Sequence, residues 1–478
     1  MSDAAAAELG ARTPLNAILI LGARTVSRGV ALVMVLVQAN HLGANGYGTF
    51  GTLVAYSALV GVFADLGLST LYTRETARRR EDAGRYLSTL LIGKIPLVLF
   101  AIALLGLSLS SSHLLGLLLP GACLLALSGY SGLLRNTFYA TGRLGWEVVA
   151  IVGEITIQAG LILYGARSGA GVSYFVWAYV ASYAVGIGYC LVVIPRLGVG
   201  RIGFNFDGAL YLRWLRLAAP LAAGFLLTNL YFRADIPILQ HFRPLAEVGW
   251  YQLAYKPFEA TQFVPLAVQA VVYPLLSAYF ALAPDRLERA YQGFFKVLVL
   301  LGWPLSVTVF VLAHPIGRVL HLFPQSEPAL RILSLGIVFL FCNSAFTAML
   351  YSIDRQDRYA WATGIAAAVN IGLNLLLIPA FGYFAASATT VVTEATLSVA
   401  GYLLIGRTRL PWARLAWRPL LAGLLLGLAL WPLAGRSVYW GLAAAIPIYV
   451  AALLLTGSID RDERALIRLG IARVRRAG

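Results

Sequence analysis

Residues 87–109 read LSTLLIGKIPLVLFAIALLGLSL, with Lys94 as the one ionisable side chain in the run. About 20 predominantly apolar residues suffice to cross a bilayer as a helix. A run this long and this apolar is therefore read as a membrane span. The rest of the chain has the same character. Hydrophobic residues make up 59% and charged residues 12% of the 478, and mean hydropathy is +0.77. Soluble domains carry about twice that share of charge. The fold class is all-α and polytopic.

Working outward from 87–109, fourteen candidate spans emerge, near 15–38, 47–72, 87–109, 114–134, 146–166, 172–195, 217–240, 248–274, 290–313, 329–352, 359–379, 383–405, 417–435 and 438–456. Residues 1–14 hold Asp3, Glu8 and Arg12, and the apolar stretch after them is too long for a signal-peptide core, so the first span is read as uncleaved. The eighth span is long and holds Pro257, Pro265 and Pro274, which predicts a bend.

Charge orients the spans. With the N-terminus inside, 26 of the 37 basic residues fall in cytoplasmic segments and five outside: Arg167, Arg243, Arg318, Arg331 and Arg436. Such a bias is the positive-inside pattern and puts both termini in the cytoplasm of a multi-pass protein of the cell (inner) membrane. It also assigns most of the net charge of +16 to orientation and to anionic membrane lipids rather than to nucleic acid. Cys123, Cys190 and Cys342 fall in spans with no metal-type spacing, so no metal site is expected. The five histidines (His41, His113, His241, His314 and His321) all fall at the outer side. Headgroup contact explains them, and a pH-sensitive outer gate is the sharper alternative.

The chain echoes itself. Leu36–Phe50 reads LVQANHLGANGYGTF and Pro237–Tyr251 reads PILQHFRPLAEVGWY, aligning Gly48 with Gly249 at an offset of 201. Tyr139–Arg143 and Tyr351–Arg355 repeat at an offset of 212. Six spans per block return the chain to the same side, so the two lobes form a parallel pseudo-repeat. The expected organisation is a cytoplasmic N-terminus (1–14), an N-lobe of six helices (15–200), a C-lobe of six (210–406), two further helices (415–456) and a basic cytoplasmic tail (457–478). The arginine spacing in that tail suits an amphipathic surface helix.

These segments resemble a known family. Asp235–Leu239 through Val248–Tyr255, Val369–Pro379 followed by Phe381 and Gly382, Leu42–Gly48, and Asp65-Leu-Gly-Leu-Ser with Arg74 are similar to the oligosaccharide flippases. That group is the polysaccharide-transporter branch of the multidrug/oligosaccharidyl-lipid/polysaccharide (MOP) exporter superfamily. The resemblance covers about residues 15–405 and implies movement of a lipid-linked oligosaccharide, of the undecaprenyl-pyrophosphate type, from the inner to the outer leaflet by alternating access, for cell-surface polysaccharide biosynthesis. In such flippases, extra C-terminal helices hold the lipid tail, an analogy open to the last two spans here.

Charges inside spans support that substrate class independently. A cation at mid-membrane costs at least about 2.5–3.5 kcal/mol. Six basic residues lie within the spans. Lys94 and Lys296 are expected to snorkel to the inner surface. The other four, Arg24, Arg28, Arg233 and Lys256, are the candidate substrate-binding residues, forming a cationic central cavity. Arg24 and Arg28 share a face and repel unless they meet water or an anion. Pro237 frees the carbonyl of Arg233, loosening a helix at its own charge. Arginine's planar fork suits pyrophosphate. Lys256 with Glu259 can instead be a private pair, and Asp65 a neutraliser of Arg24 or Arg28. Asp65, Glu154, Asp235, Glu259 and Glu394 are the candidate ion-coupling or charge-partner residues, for H⁺ or Na⁺. Glu147, Glu154 and Gln158 share a face of the fifth span. Glu154 and Glu394 show no local partner, and Asn370 and Asn374 are read as bridging helices.

The alternatives are a cation-coupled multidrug antiporter of the same superfamily and a membrane glycosyltransferase or polymerase. The first wants a carboxylate-lined cavity. The second wants sizeable outer loops with acids, whereas the longest outer loop, 314–328, holds only Glu327. No GxxxxGK[ST] loop occurs. A non-enzyme with no catalytic residues and no cofactor is expected.

Overall fold

The computed structural model describes the backbone of residues 3–198, 203, 205–406, 410–435 and 437–458, and side chains within that set other than those of 3–18 and 21. The basic tail and Arg201, Arg407, Arg409 and Arg436 lie outside the described residues. Among the described residues there are seventeen α-helices, three short 3-10 turns and no strand. The chain divides into two compact units, Met1–Gly249 and Trp250–Gly478.

The first unit contains α1 (Asp3–Asp65), α2 (Leu68–Arg78), α3 (Ala83–Ser111), α4 (Leu118–Ala140), α5 (Leu144–Ser168), α6 (Val172–Arg196), α7 (Gly208–Arg233), α8 (Asp235–Phe242) and the start of α9 (Leu245–Thr261). The second continues with α10 (Phe263–Leu282), α11 (Pro284–Val311), α12 (Ala313–Val319), α13 (Ser326–Ser334), α14 (Ile337–Ser352), α15 (Gln356–Ile405), α16 (Trp412–Leu430) and α17 (Val438–Leu455).

Eleven helices are long and apolar enough to cross a membrane, or twelve when the pair α13–α14, bent by 42°, counts as one span. Two of the eleven, of 44 and 50 residues, are each a pair of helices joined at a kink. At 1.5 Å per residue these run about 66 and 75 Å, against a hydrocarbon core of about 30 Å. Each is broken once by a glycine with positive φ, Gly43 (φ 66, ψ 177) and Gly382 (φ 56, ψ −136). The sequence expectation of fourteen splits each of these kinked pairs into two crossings, where the structure gives eleven or twelve membrane-length elements among the described residues. The loops expected at 39–46 and 380–382 are absent, however. A single glycine turns the chain in each case, in a backbone region that a side chain would strain. The second span also ends earlier than expected, at Asp65, where Leu66 (φ 48) and Gly67 (φ 78) set off α2 as a separate helix.

In the first unit α1 packs against α3, α4, α5 and α7. Its inner core joins Leu71 and Tyr72 of α2, Leu87 and Leu90 of α3, Leu133 and Phe138 of α4, Ile194 of α6, and Trp214 of α7. The segment entering α7 is pinned to α3. Asp207 caps α7 by accepting from the Leu210 N–H at 2.9 Å and also takes the Arg85 guanidinium. That backbone N–H, then the guanidinium, hold its carboxyl below the usual carboxylate range. Tyr211 Oη donates to the Gly93 carbonyl at 2.6 Å.

The two aligned glycines meet. A Cβ on Gly48 would stand 1.9 Å from the Leu245 carbonyl oxygen, and one on Gly249 2.1 Å from that of Ala44. Ala44 and Leu245 are themselves 201 apart, so the contact is reciprocal, each segment presenting the same patch to the other. Only hydrogen at both positions permits this approach.

In the second unit the eighth span breaks at Gln262, between α9 and α10. Pro265 cannot donate to the Thr261 carbonyl, which accounts for the predicted bend. α16 and α17 dock on α11 through Leu312, Leu426, Leu430 and Ala445, with Trp303 Nε1 donating to the Leu420 carbonyl at 2.9 Å. The 314–328 segment is largely helical, and Glu327 there meets His314 at 2.7 Å and Arg331 at 2.9 Å. Leu107, Leu119, Leu376, Leu428 and Leu455 are exposed, the surface that lipid requires.

Candidate functional site

Arg24 and Arg28 both lie exposed on α1. Arg24 Nη2 donates to Tyr139 Oη at 2.6 Å, and its guanidinium carbon stands 5.5 Å from that ring's centroid. Among the described residues no carboxylate pairs with Arg24, Arg28 or Arg233. Arg233 is half-buried at the last position of α7. The ladder holds on either side, Ala234 N–H to Leu230 O at 3.1 Å and Ile238 N–H to Ala234 O at 3.3 Å, while Pro237 has no N–H for the Arg233 carbonyl. The helix accordingly breaks at Ala234.

The polar group behind Arg24 was not legible as a group in the sequence. Arg135, counted as a cytoplasmic loop cation, lies inside α4. Its Nε and Nη2 fork onto Glu147, the shortest contact being 2.6 Å, and its Nη1 donates to Glu154 at 2.9 Å. Glu154 therefore has a partner, contrary to expectation. Tyr139 Oη donates to Glu147 Oε1 at 3.2 Å. Because Arg135 and Tyr139 are four apart on α4, and Glu147 and Glu154 seven apart on α5, each pair shares a helix face. Ending the fourth span at 134 hid the first pair, since α4 runs on to Ala140.

A second cluster corrects two further expectations. Lys94 does not snorkel: its side chain is 1% exposed, and Nζ donates to Asp65 Oδ1 at 2.6 Å. Asp65 therefore neutralises Lys94 rather than Arg24 or Arg28, and Ser69 also donates to it. Lys296 is likewise buried instead of reaching the surface. Asp235, at the first position of α8, is buried and accepts from the Ile236 N–H at 2.9 Å.

In the second unit Lys256 and Glu259 pair at 2.8 Å on α9. Glu394 also has a partner that the sequence did not reveal, Asn343 Nδ2 at 2.7 Å, and Ser398 Oγ donates to Asn343 Oδ1 at 2.7 Å. Asn374 donates to Asn370 at 3.0 Å and Asn370 to Thr393 at 3.1 Å, so these amides join the two halves of α15. Among the described residues no group of three His, Cys, Asp or Glu side chains is placed to hold a metal ion. At the outer side expected for the histidines, His41 Nε2 hydrogen-bonds with the Ala170 carbonyl at 2.9 Å.

The sequence pattern of the polysaccharide biosynthesis protein family matches residues 15–280, more than half of the chain. The chain belongs to that family. The related MatE pattern matches residues 220–376. An uncharacterised membrane protein of Methanocaldococcus jannaschii is 26% identical over 231 residues, which are 46% of this chain and 44% of that protein. The chain thus spans less than half the length of that curated relative. Among solved structures, the lipid II flippase MurJ in an inward closed conformation superposes with a TM-score of 0.74 at 15% identity, covering 94% of this chain and 100% of that one. An inward-facing multidrug resistance MATE transporter of the MOP superfamily gives 0.65 at 16%, covering 79% and 93%. At such identities the likeness is one of fold. This family member is a multi-pass α-helical membrane protein whose fold is similar to that of the flippase and the MATE transporter.

Proposed function

We propose that this family member moves a lipid-linked oligosaccharide with an anionic pyrophosphate head from the inner to the outer leaflet of the cell membrane by alternating access, for cell-surface polysaccharide biosynthesis. The observation carrying this reading is the pair of exposed arginines on α1, four apart, that no carboxylate among the described residues neutralises. Two like charges on one helix face are stabilised by an anion between them. Arg233, at the loosened end of α7, is the third proposed contact. Lys256 shares its charge with Glu259 and contributes less. Several carboxylates that a cationic drug would need are already engaged, Asp65 by Lys94 and both Glu147 and Glu154 by Arg135. That disfavours the antiporter alternative. Asp235 and Glu394, both buried, are proposed as ion-coupling or charge-partner residues, for H⁺ or Na⁺.

The test is export of a surface glycan, together with flipping of an undecaprenyl-pyrophosphate-linked sugar in proteoliposomes, by Arg24→Ala, Arg28→Ala and Arg233→Ala. A charge-assisted contact contributes about 1.5–3 kcal/mol, so each change is expected to weaken substrate affinity about 10- to 100-fold while the protein still inserts. Undiminished flipping by all three variants sinks the proposal. Export of a cationic dye by the wild type, without glycan flipping, supports the antiporter instead.

A further inference from the structure

Arg24 reaches no carboxylate among the described residues, yet it is not loose. Its Nη2 meets a phenol oxygen, and that phenol's own proton goes to Glu147. A tyrosine hydroxyl has one proton to give and lone pairs to receive with. With the proton committed to the carboxylate, the lone pairs are turned to the guanidinium. Glu147 is 1% exposed and is fixed in turn by the Arg135 fork, whose free end is tied to Glu154. The chain of contacts runs Arg24, Tyr139, Glu147, Arg135, Glu154 across α1, α4 and α5. It sums to zero charge only with Arg24 included, and a neutral group separates Arg24 from the nearest carboxylate in it. A direct Arg24–Glu147 pair would hold the guanidinium and also cancel its charge. The interposed phenol holds it and leaves the charge to act outward, with four of its five N–H donors outside the Tyr139 bond.

We propose that Tyr139 and Glu147 are positioning residues for Arg24, aiming its guanidinium at the pyrophosphate of the substrate without neutralising it. This rests on the reading of Arg24 as a substrate contact. Neither residue touches the substrate; both act through Arg24. The role gives a purpose to the phenol that bonds a buried carboxylate on α5 beside the arginine which that carboxylate shares with Glu154. It also predicts an effect confined to one partner.

The experiment is a double-mutant cycle on the full-length chain in nanodiscs, reading the affinity for undecaprenyl pyrophosphate by fluorescence quenching. Tyr139→Phe keeps the ring under the guanidinium and removes only the acceptor. It is expected to weaken binding about 3- to 10-fold in the wild type, the value of one hydrogen bond, and to have no further effect in the Arg24→Ala background. Glu147→Gln, which keeps the shape and removes the charge, serves as a second variant with the same expected pattern. Equal losses in both backgrounds mean a merely structural role and overturn the proposal. Wild-type affinity in Tyr139→Phe, with Arg24→Ala weakened, overturns it as well while leaving the substrate reading intact. Unchanged affinity in Arg24→Ala sinks the substrate reading of Arg24 and this inference with it.

Discussion

At the scale of single residues, the charges inside helices sort by what they touch. Lys94 is among the most buried side chains in the protein, at 1% exposure, and its attachment to Asp65 is what makes that burial tolerable. Removing one partner of a buried pair costs about 3–5 kcal/mol. Asp65 retains 29% exposure, which screens part of this, so Lys94→Met is expected to lower stability by about 2 kcal/mol. The double variant Lys94→Met with Asp65→Asn should recover most of the loss, because no lone charge is left behind. Thermal unfolding in detergent measures both, and a double variant no more stable than the single one contradicts the pairing. Six intramembrane cations were countable in the sequence, but which were paired was not. Asp65 and Lys94 are 29 positions apart, and Arg135 and Glu147 twelve, on different helices, so no local spacing rule joins them.

At the scale of elements, two contacts govern how helices meet in the first unit. The Gly48–Gly249 approach leaves no room for a methyl on either side. Gly48→Ala and Gly249→Ala are each expected to destabilise by about 1–3 kcal/mol, the range for overpacking. Because each segment presses on the other, the first substitution already parts them, and the double variant should cost less than the sum. Melting temperatures of the three variants check this; full additivity argues against the reciprocal contact. The Asp207 cap gives a pH prediction. Its carboxyl lies below the usual carboxylate range, so its contribution is fully present above the ordinary value of 3.8 and fades as pH falls further, through its folded-state value. Asp207→Asn should therefore melt lower than wild type by a constant margin between about pH 5 and 8, with the margin closing only in strong acid. A margin that closes near neutral pH contradicts the assignment. The sequence marked the first through the aligned glycines and gave no sign of the second. It did not reveal that one glycine alone joins the two helices within α1 and within α15, because a single residue with an unusual φ is enough to end a helix and leaves no loop composition to read.

At the scale of the whole molecule, the arginine distribution predicts the sidedness of every loop. With Cys123, Cys190 and Cys342 replaced, a cysteine at Arg79 should react with an impermeant maleimide only after the cells are opened, and one at His314 in intact cells. Labelling of the Arg79 position from outside inverts the topology and with it the direction of transport. By itself the sequence determined the all-α membrane class and the apolar runs long enough to span a bilayer. These follow from the cost of leaving backbone and charge in hydrocarbon, which is paid residue by residue along the chain. The tertiary structure alone decided the partners: Lys94 with Asp65, Arg135 with Glu147 and Glu154, and Arg24 left to a phenol. In a lipid interior helix association is set by close packing and polar contacts rather than by hydrophobic burial, so which faces meet is a property of the folded bundle and not of any one segment.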